Sequence, residues 1–121
     1  IIEPTGFVFD DKKFKRSSMD YIDYLNYKRH NDWYHFYDWT KKKEFRLILM
    51  TTKSQKSLYN FEFRSSDILL FGRESAGVPE NIHKIVDHRL TIPMKDGVRS
   101  MNISSSVALV LGEGLRQTNQ L

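Results

Sequence analysis

Apolar residues in this chain come in short solid runs set between longer stretches of mixed polarity. Phe45-Arg46-Leu47-Ile48-Leu49-Met50 and Asp67-Ile68-Leu69-Leu70-Phe71 are too short for helices and too continuous for strands with one wet face. Such runs predict strands buried on both faces. His88 to Ile92 reads as a third short strand, and Ile1-Ile2 as the end of another. Between them the period lengthens. Trp33, Phe36, Tyr37 and Thr40 fall on one helical face over 32–43, with Asn31 as the expected N-cap and Lys41-Lys42-Lys43 at the end favoured by cations. Pro79 suits the first turn of a helix running to about Val86, because its missing N–H costs nothing there. A last helix is predicted over 103–117, with Ile103, Val107, Val110, Leu111 and Leu115 as its apolar stripe. Pro4-Thr5-Gly6 reads as a turn, and Asp10-Asp11 start a short helix that ends in basic residues. Residues 51–57 read as a polar loop, and 59–63 as loop or edge strand. Strands alternating with helices predict an α/β fold: a mostly parallel sheet with helices on both faces.

The length, 121 residues, fits one domain, 1–121, with a modest core. With no cysteine, disulfides and thiolate metal sites are excluded. His30, His35, His83 and His88 lack the spacing of a zinc site, so no metal is expected. No apolar run is long enough to span a membrane and no signal peptide is visible, which leads to the expectation of a cytoplasmic protein without membrane contact. The chain opens on Ile1 rather than Met, and the expectation is that residues preceding it are missing. A net charge of +4 changes the picture more, because the cations cluster. Lys12-Lys13-Phe14-Lys15-Arg16, Lys28-Arg29-His30 and Lys41-Lys42-Lys43 can be solvated helix ends or a face for phosphate backbones.

Two loops hold the candidate chemistry. Gly72-Arg73-Glu74-Ser75-Ala76-Gly77-Val78-Pro79 joins a strand to a helix, where open α/β sheets place ligands. Glycine permits tight turns and close approach of a ligand to the backbone, and Glu74 can accept from hydroxyl or amine groups. It can equally cap neighbouring N–H groups in a purely structural turn. The second loop, Ile92-Pro93-Met94-Lys95-Asp96-Gly97-Val98-Arg99-Ser100-Met101-Asn102, offers Arg99 as a forked phosphate donor. Ser100 and Asn102 suit a nucleoside, or the N-cap of the helix they precede. No P-loop, GxGxxG or nucleophile elbow is present. Gly112 and Gly114 lie inside the last helix, where they permit close packing of another backbone or mark fraying.

Taken together, Phe71-Gly72-Arg73-Glu74-Ser75-Ala76-Gly77-Val78-Pro79, Ile92-Pro93-Met94, Arg99-Ser100-Met101-Asn102-Ile103-Ser104, Glu113 and Arg116-Gln117 resemble the SPOUT (SpoU) RNA 2′-O-methyltransferases. The opening Ile1-Ile2-Glu3-Pro4-Thr5-Gly6-Phe7, with Asp10-Asp11-Lys12 and Asp20-Tyr21, resembles their small single-domain branch, which methylates the wobble nucleotide of certain tRNAs. The resemblance implies a deep C-terminal trefoil knot, an exception to unknotted chains, and a homodimer with the site at its interface. It implies S-adenosylmethionine as methyl donor, held by Met50, Thr51, Gly72, Glu74, Gly77, Ile92, Met94, Ser100 and Met101. Ser100, Asn102 and Glu74 would serve catalysis, and Arg99, Lys12, Lys13 and Arg16 would hold tRNA. The family's Asn-x-Gly-Asn-x-x-Arg motif is absent, so no catalytic arginine is recognisable, and Arg99 is not its equivalent. The alternatives are an inactive cofactor- or RNA-binding relative, and a methyltransferase for another tRNA or rRNA position.

Overall fold

In the computed structural model three of the apolar runs pair as strands β1 (Arg46–Met50), β2 (Asp67–Leu70) and β3 (His88–Leu90). Both pairings are parallel and the order is β2-β1-β3, so β1 is central. The structure describes residues 1–3, 26–72, 77–95 and 102–120. They fall into two compact units, Ile1–Lys43 and Glu44–Leu121.

In the second unit, polar side chains set the register of a sheet whose apolar residues are interchangeable. Arg46 and Asp67 are register partners, and their side chains form a two-pronged ion pair with bonds of 2.7 and 2.6 Å. Asp67 also accepts from the Arg64 backbone N–H at 2.8 Å, so its buried carboxylate is fully engaged. Asp87 takes both backbone groups of Leu47, its carboxylate accepting from the N–H at 2.7 Å and its own N–H donating to the carbonyl at 3.1 Å. That starts the β1–β3 ladder.

Side chains alternate along β1. Ile48 and Met50 enter a core with Leu58, Phe61, Phe63, Leu90 and Val110. Leu47 and Leu49 point the other way and are fully buried, which confirms a central strand covered on both faces. Helix α3 (Ile103–Gln117) supplies Val110 to the first face; α2 (Glu80–Ile85) lies on the other, where Arg89 donates to the carbonyls of His83, Lys84 (3.1 Å) and Val86 (3.5 Å). The segment left open between loop and strand is a 3-10 turn, Leu58–Asn60, followed by extended chain. Its backbone is bound by a side chain 54 residues on: Phe63 N–H donates to Gln117 Oε1 and Gln117 Nε2 donates to the Phe61 carbonyl, both at 2.9 Å.

The α3 stripe needs correction. Val110 is buried, but Val107 and Leu111 are 37% and 46% exposed, and Ser106 takes the second buried position. Five apolar residues make a band wider than one seam, and the sheet uses only its 106–110 side. Helix α3 runs unbroken through Gly112 and Gly114, so neither marks fraying. A methyl group at Gly114 would make only ordinary contact with Phe63.

In the first unit, Ile2 forms an isolated parallel bridge with His30. Helix α1 (Trp33–Lys42) is capped by Asp32 rather than Asn31: Asp32 is extended and its carboxylate accepts from the His35 N–H at 2.9 Å. That bond holds the Asp32 carboxyl below its ordinary range. Phe36 and Thr40 are buried, as the periodicity predicts, and His30 packs against Phe36 and Trp39. The turn at Pro4 and the helix at Asp10 lie outside the described residues.

Candidate functional site

Because all three strands run the same way, their carboxyl ends leave the sheet along one edge. Leu49 pairs with Leu70 and Met50 with Leu90, so the exits lie side by side. The first exit loop is stitched to β3. Thr51 N–H donates to the Leu90 carbonyl at 2.9 Å, Ser54 Oγ to the Arg89 carbonyl at 2.8 Å, and Thr91 N–H to the Lys56 carbonyl at 2.8 Å. Leu58 N–H closes the stitch on the Thr91 carbonyl at 3.0 Å. The Thr51 hydroxyl accepts from Lys53 N–H at 3.2 Å.

The second exit follows Phe71, and here the two glycines have different causes. A Cβ on Gly72 would stand 2.7 Å from the carbonyl carbon of Gly77 and 2.7 Å from Val78 Cγ2. Gly72 therefore lies against Gly77 and Val78, with no room for a side chain at position 72. Gly77 is the reverse case: its φ is +64°, and among the described residues, its chain neighbours aside, no heavy atom lies within 4 Å of the Cβ position. Pro79 follows in the N-cap position of α2 rather than in its first turn, and its carbonyl accepts from Ile82 and His83 at 3.0 and 3.2 Å. Glu80 opens α2 and stands 3.8 Å from Lys53 of the first loop. Arg89 anchors the far end of this short helix. The sequence reading missed Arg89; strand alternation, which points it away from Leu90, was the available signal.

The third exit runs through Thr91 to Lys95. Ile92 is half-buried against the core, whereas Met94 is 39% exposed. Asn102 resumes the chain as the N-cap of α3, with its side-chain oxygen accepting from Ser104 N–H at 2.9 Å. The capping reading of Asn102 is thus observed, and the cap fixes its rotamer.

Of the residues proposed from sequence, Met50, Thr51, Gly72, Gly77, Ile92 and Met94 belong to this edge. Glu74, Arg99, Ser100, Met101, Lys12, Lys13 and Arg16 lie outside the described residues. Among the described residues no cluster of acidic side chains and histidines could hold a metal. His88 instead packs on Phe61 at 4.9 Å, and burial, then Arg46 and Lys56, lower its pKa. No helix among the described residues is long and apolar enough to cross a membrane.

Comparison with known proteins agrees with this arrangement. Residues 1–112 match the model of the SpoU rRNA Methylase family. A tRNA (cytidine(34)-2′-O)-methyltransferase of Beijerinckia indica is 46% identical over 121 residues, all of this chain and 76% of that protein. A solved structure described as giving structural insights into the 2-OH methylation of C/U34 on tRNA superposes with a TM-score of 0.86. It is 34% identical, over 96% of this chain and 75% of that one. The SpoU methyltransferase AviRb of Streptomyces viridochromogenes, solved with AdoMet, shares the fold at a TM-score of 0.83 and 24% identity, over 97% and 48% of the two chains.

Proposed function

Since the chain belongs to the SpoU rRNA methylase family, we propose that it transfers a methyl group from S-adenosylmethionine to the ribose 2′-hydroxyl of the wobble nucleotide, position 34, of tRNA. The observation that carries this reading is the convergence of three parallel-strand exits on one edge, one of them folded back through Gly72. The residues there fit an adenosyl group: the described residues leave the Gly77 Cβ position clear, half-buried Phe71 and Ile92 offer an apolar floor, and the strand exits offer backbone donors and acceptors. Met50, Thr51, Gly72, Gly77, Ile92 and Met94 would hold the cofactor, with Glu74, Ser100 and Met101 completing the set. When bound, S-adenosylmethionine supplies an electrophilic methyl group.

The chain's own contribution is alignment. The stitching of 51–58 to β3 and the contact of Gly72 with Gly77 and Val78 fix those positions before ligand arrives, which lowers the ordering cost of binding there. Asn102, fixed as an N-cap, presents its amide at the start of α3, and with Ser100 and Glu74 would position the ribose and a group that removes its proton. Lys12, Lys13, Arg16 and Arg99 would grip tRNA phosphates, which makes binding salt-dependent.

The same reading takes residues 1–121 as one methyltransferase domain with a C-terminal trefoil knot, a cytoplasmic enzyme acting without a metal. It also assigns a homodimer. An open groove of about 400 Å³ beside α3 is lined by Phe63, Leu69, Phe71, Val107, Leu111 and Leu115, the apolar side of the helix that its own sheet leaves uncovered. A second copy of α3 would cover it.

Methylation of total tRNA by the full-length protein with labelled cofactor, followed by nucleotide mapping, tests the activity. Label on the ribose at position 34, and at least a ten-fold fall in turnover for a folded Asn102→Ala variant, are the expected results. Cofactor binding without methylation of any tRNA would leave a binding module instead, and label elsewhere would move the target.

A further inference from the structure

Six of the seven residues 33–39 carry a ring, far more than the packing of one helix needs. Phe36 is buried and serves the core of its unit with His30 and Trp39. Trp33 leans on Phe36, with ring centres 5.6 Å apart, and sits at the margin of the buried face. Tyr34 is 75% exposed, and Trp33 and Tyr37 are half-exposed. Trp33, Tyr37 and Lys41 follow one another a turn apart, with Tyr34 on the same side. The Trp33 and Tyr37 rings are 5.7 Å apart and inclined by 32°, and the Lys41 ammonium lies 5.1 Å from the centre of the Tyr37 ring. The result is a row of rings ended by a cation.

The surrounding charge selects the partner. Lys28 lies 5.4 Å over Trp39, and Lys41, Lys42 and Lys43 close the helix. The acids of the helix and its N-cap are engaged: Asp38 by Lys42 at 3.0 Å, Asp32 by the cap and the His35 ring at 2.7 Å. A surface of partly exposed rings in a cationic setting complements a polyanion whose own flat faces are free. Unpaired RNA has both properties, whereas a duplex hides its base faces.

We infer that the flank of α1 formed by the exposed Tyr34 and Lys41 with the half-exposed Trp33 and Tyr37 is a stacking platform for an unpaired stretch of the substrate RNA. The inference rests on RNA being the substrate. It adds base stacking to the phosphate contacts of the basic clusters, one of which, Lys41-Lys42-Lys43, ends this same helix.

The test uses the full-length protein, an RNA hairpin with 2-aminopurine in its loop, and a fully paired duplex at the same salt. For the Tyr34→Ala/Tyr37→Ala variant, hairpin affinity is expected to fall about ten-fold or more, with duplex and S-adenosylhomocysteine affinities unchanged. In tRNA methylation the loss should fall on KM rather than kcat. The Tyr34→Phe/Tyr37→Phe variant keeps the rings and should bind the hairpin as the wild type does. Should the double alanine variant fail to fold, Tyr34→Ala alone, at a largely exposed position, gives the same reading. Undiminished hairpin binding, equal loss in the phenylalanine variant, or a change in sedimentation instead of RNA affinity would each overturn the platform. If the wild type methylates tRNA while the alanine variant binds normally, only the platform falls. If the wild type neither binds nor methylates RNA, the substrate reading falls with it.

Discussion

At Gly72 one added carbon has nowhere to go, because the backbone at Gly77 and the Val78 side chain already occupy its place. Gly72→Ala is therefore expected to force the loop open, with a lower melting temperature and at least a ten-fold loss of S-adenosylhomocysteine affinity by calorimetry. At Gly77 an added carbon meets none of the described residues beyond its chain neighbours but has the wrong backbone angle. Gly77→Ala should cost about 1–2 kcal/mol in urea unfolding, and Gly77→Asn, which tolerates that angle better, should recover part of it. Equal costs at the two positions would contradict this division. The sequence marked both glycines as permissive. It could not say that one is required by a touch and the other by a dihedral, because the touch exists only once the chain has returned on itself.

Helix α3 shows what periodicity carries and what it does not. Its span, 103–117, is as the pattern predicts, and so is its cap at Asn102. The buried side is not, because Val107 and Leu111 are as apolar as Val110, and only the sheet decides among them. Likewise the cap of α1 moved by one residue, since Asn31 and Asp32 are both good caps and only Asp32 faces the free N–H groups. The end of α3 carries a charge-assisted device. Glu113 accepts from Arg116 at 3.0 and 2.6 Å and from Gln117 at 3.1 Å, which holds its carboxyl down to about 2. Unfolded, that carboxyl titrates near 4.5, so between the two values the unfolded chain binds more protons. The stabilisation is complete above about pH 4.5 and is lost as pH falls through about 2. Stability measured against pH should lose this acid-side slope in Glu113→Gln; an unchanged slope would place the proton uptake elsewhere.

Over the whole chain, alternating runs foretold a parallel sheet but not the order β2-β1-β3. Apolar strands fit one another in any order; the order is written in Asp67 and Asp87, polar residues whose partners, Arg46 and Leu47, lie far off in sequence. The groove beside α3 was equally illegible, since it joins residues 63–71 to 107–115. If a second copy covers it, Leu111→Glu in the full-length protein should give a monomer in sedimentation velocity, with tRNA methylation reduced at least ten-fold. A dimer that survives this change would move the interface to another face. The clasp of Gln117 on Phe61 and Phe63 has a consequence for the order of events during synthesis. Those backbone groups leave the ribosome long before the side chain that satisfies them, and must stay hydrated until α3 arrives. The Phe63 amide is thus a built-in clock: its hydrogen exchanges freely until α3 docks, and its protection marks the moment Gln117 is in place.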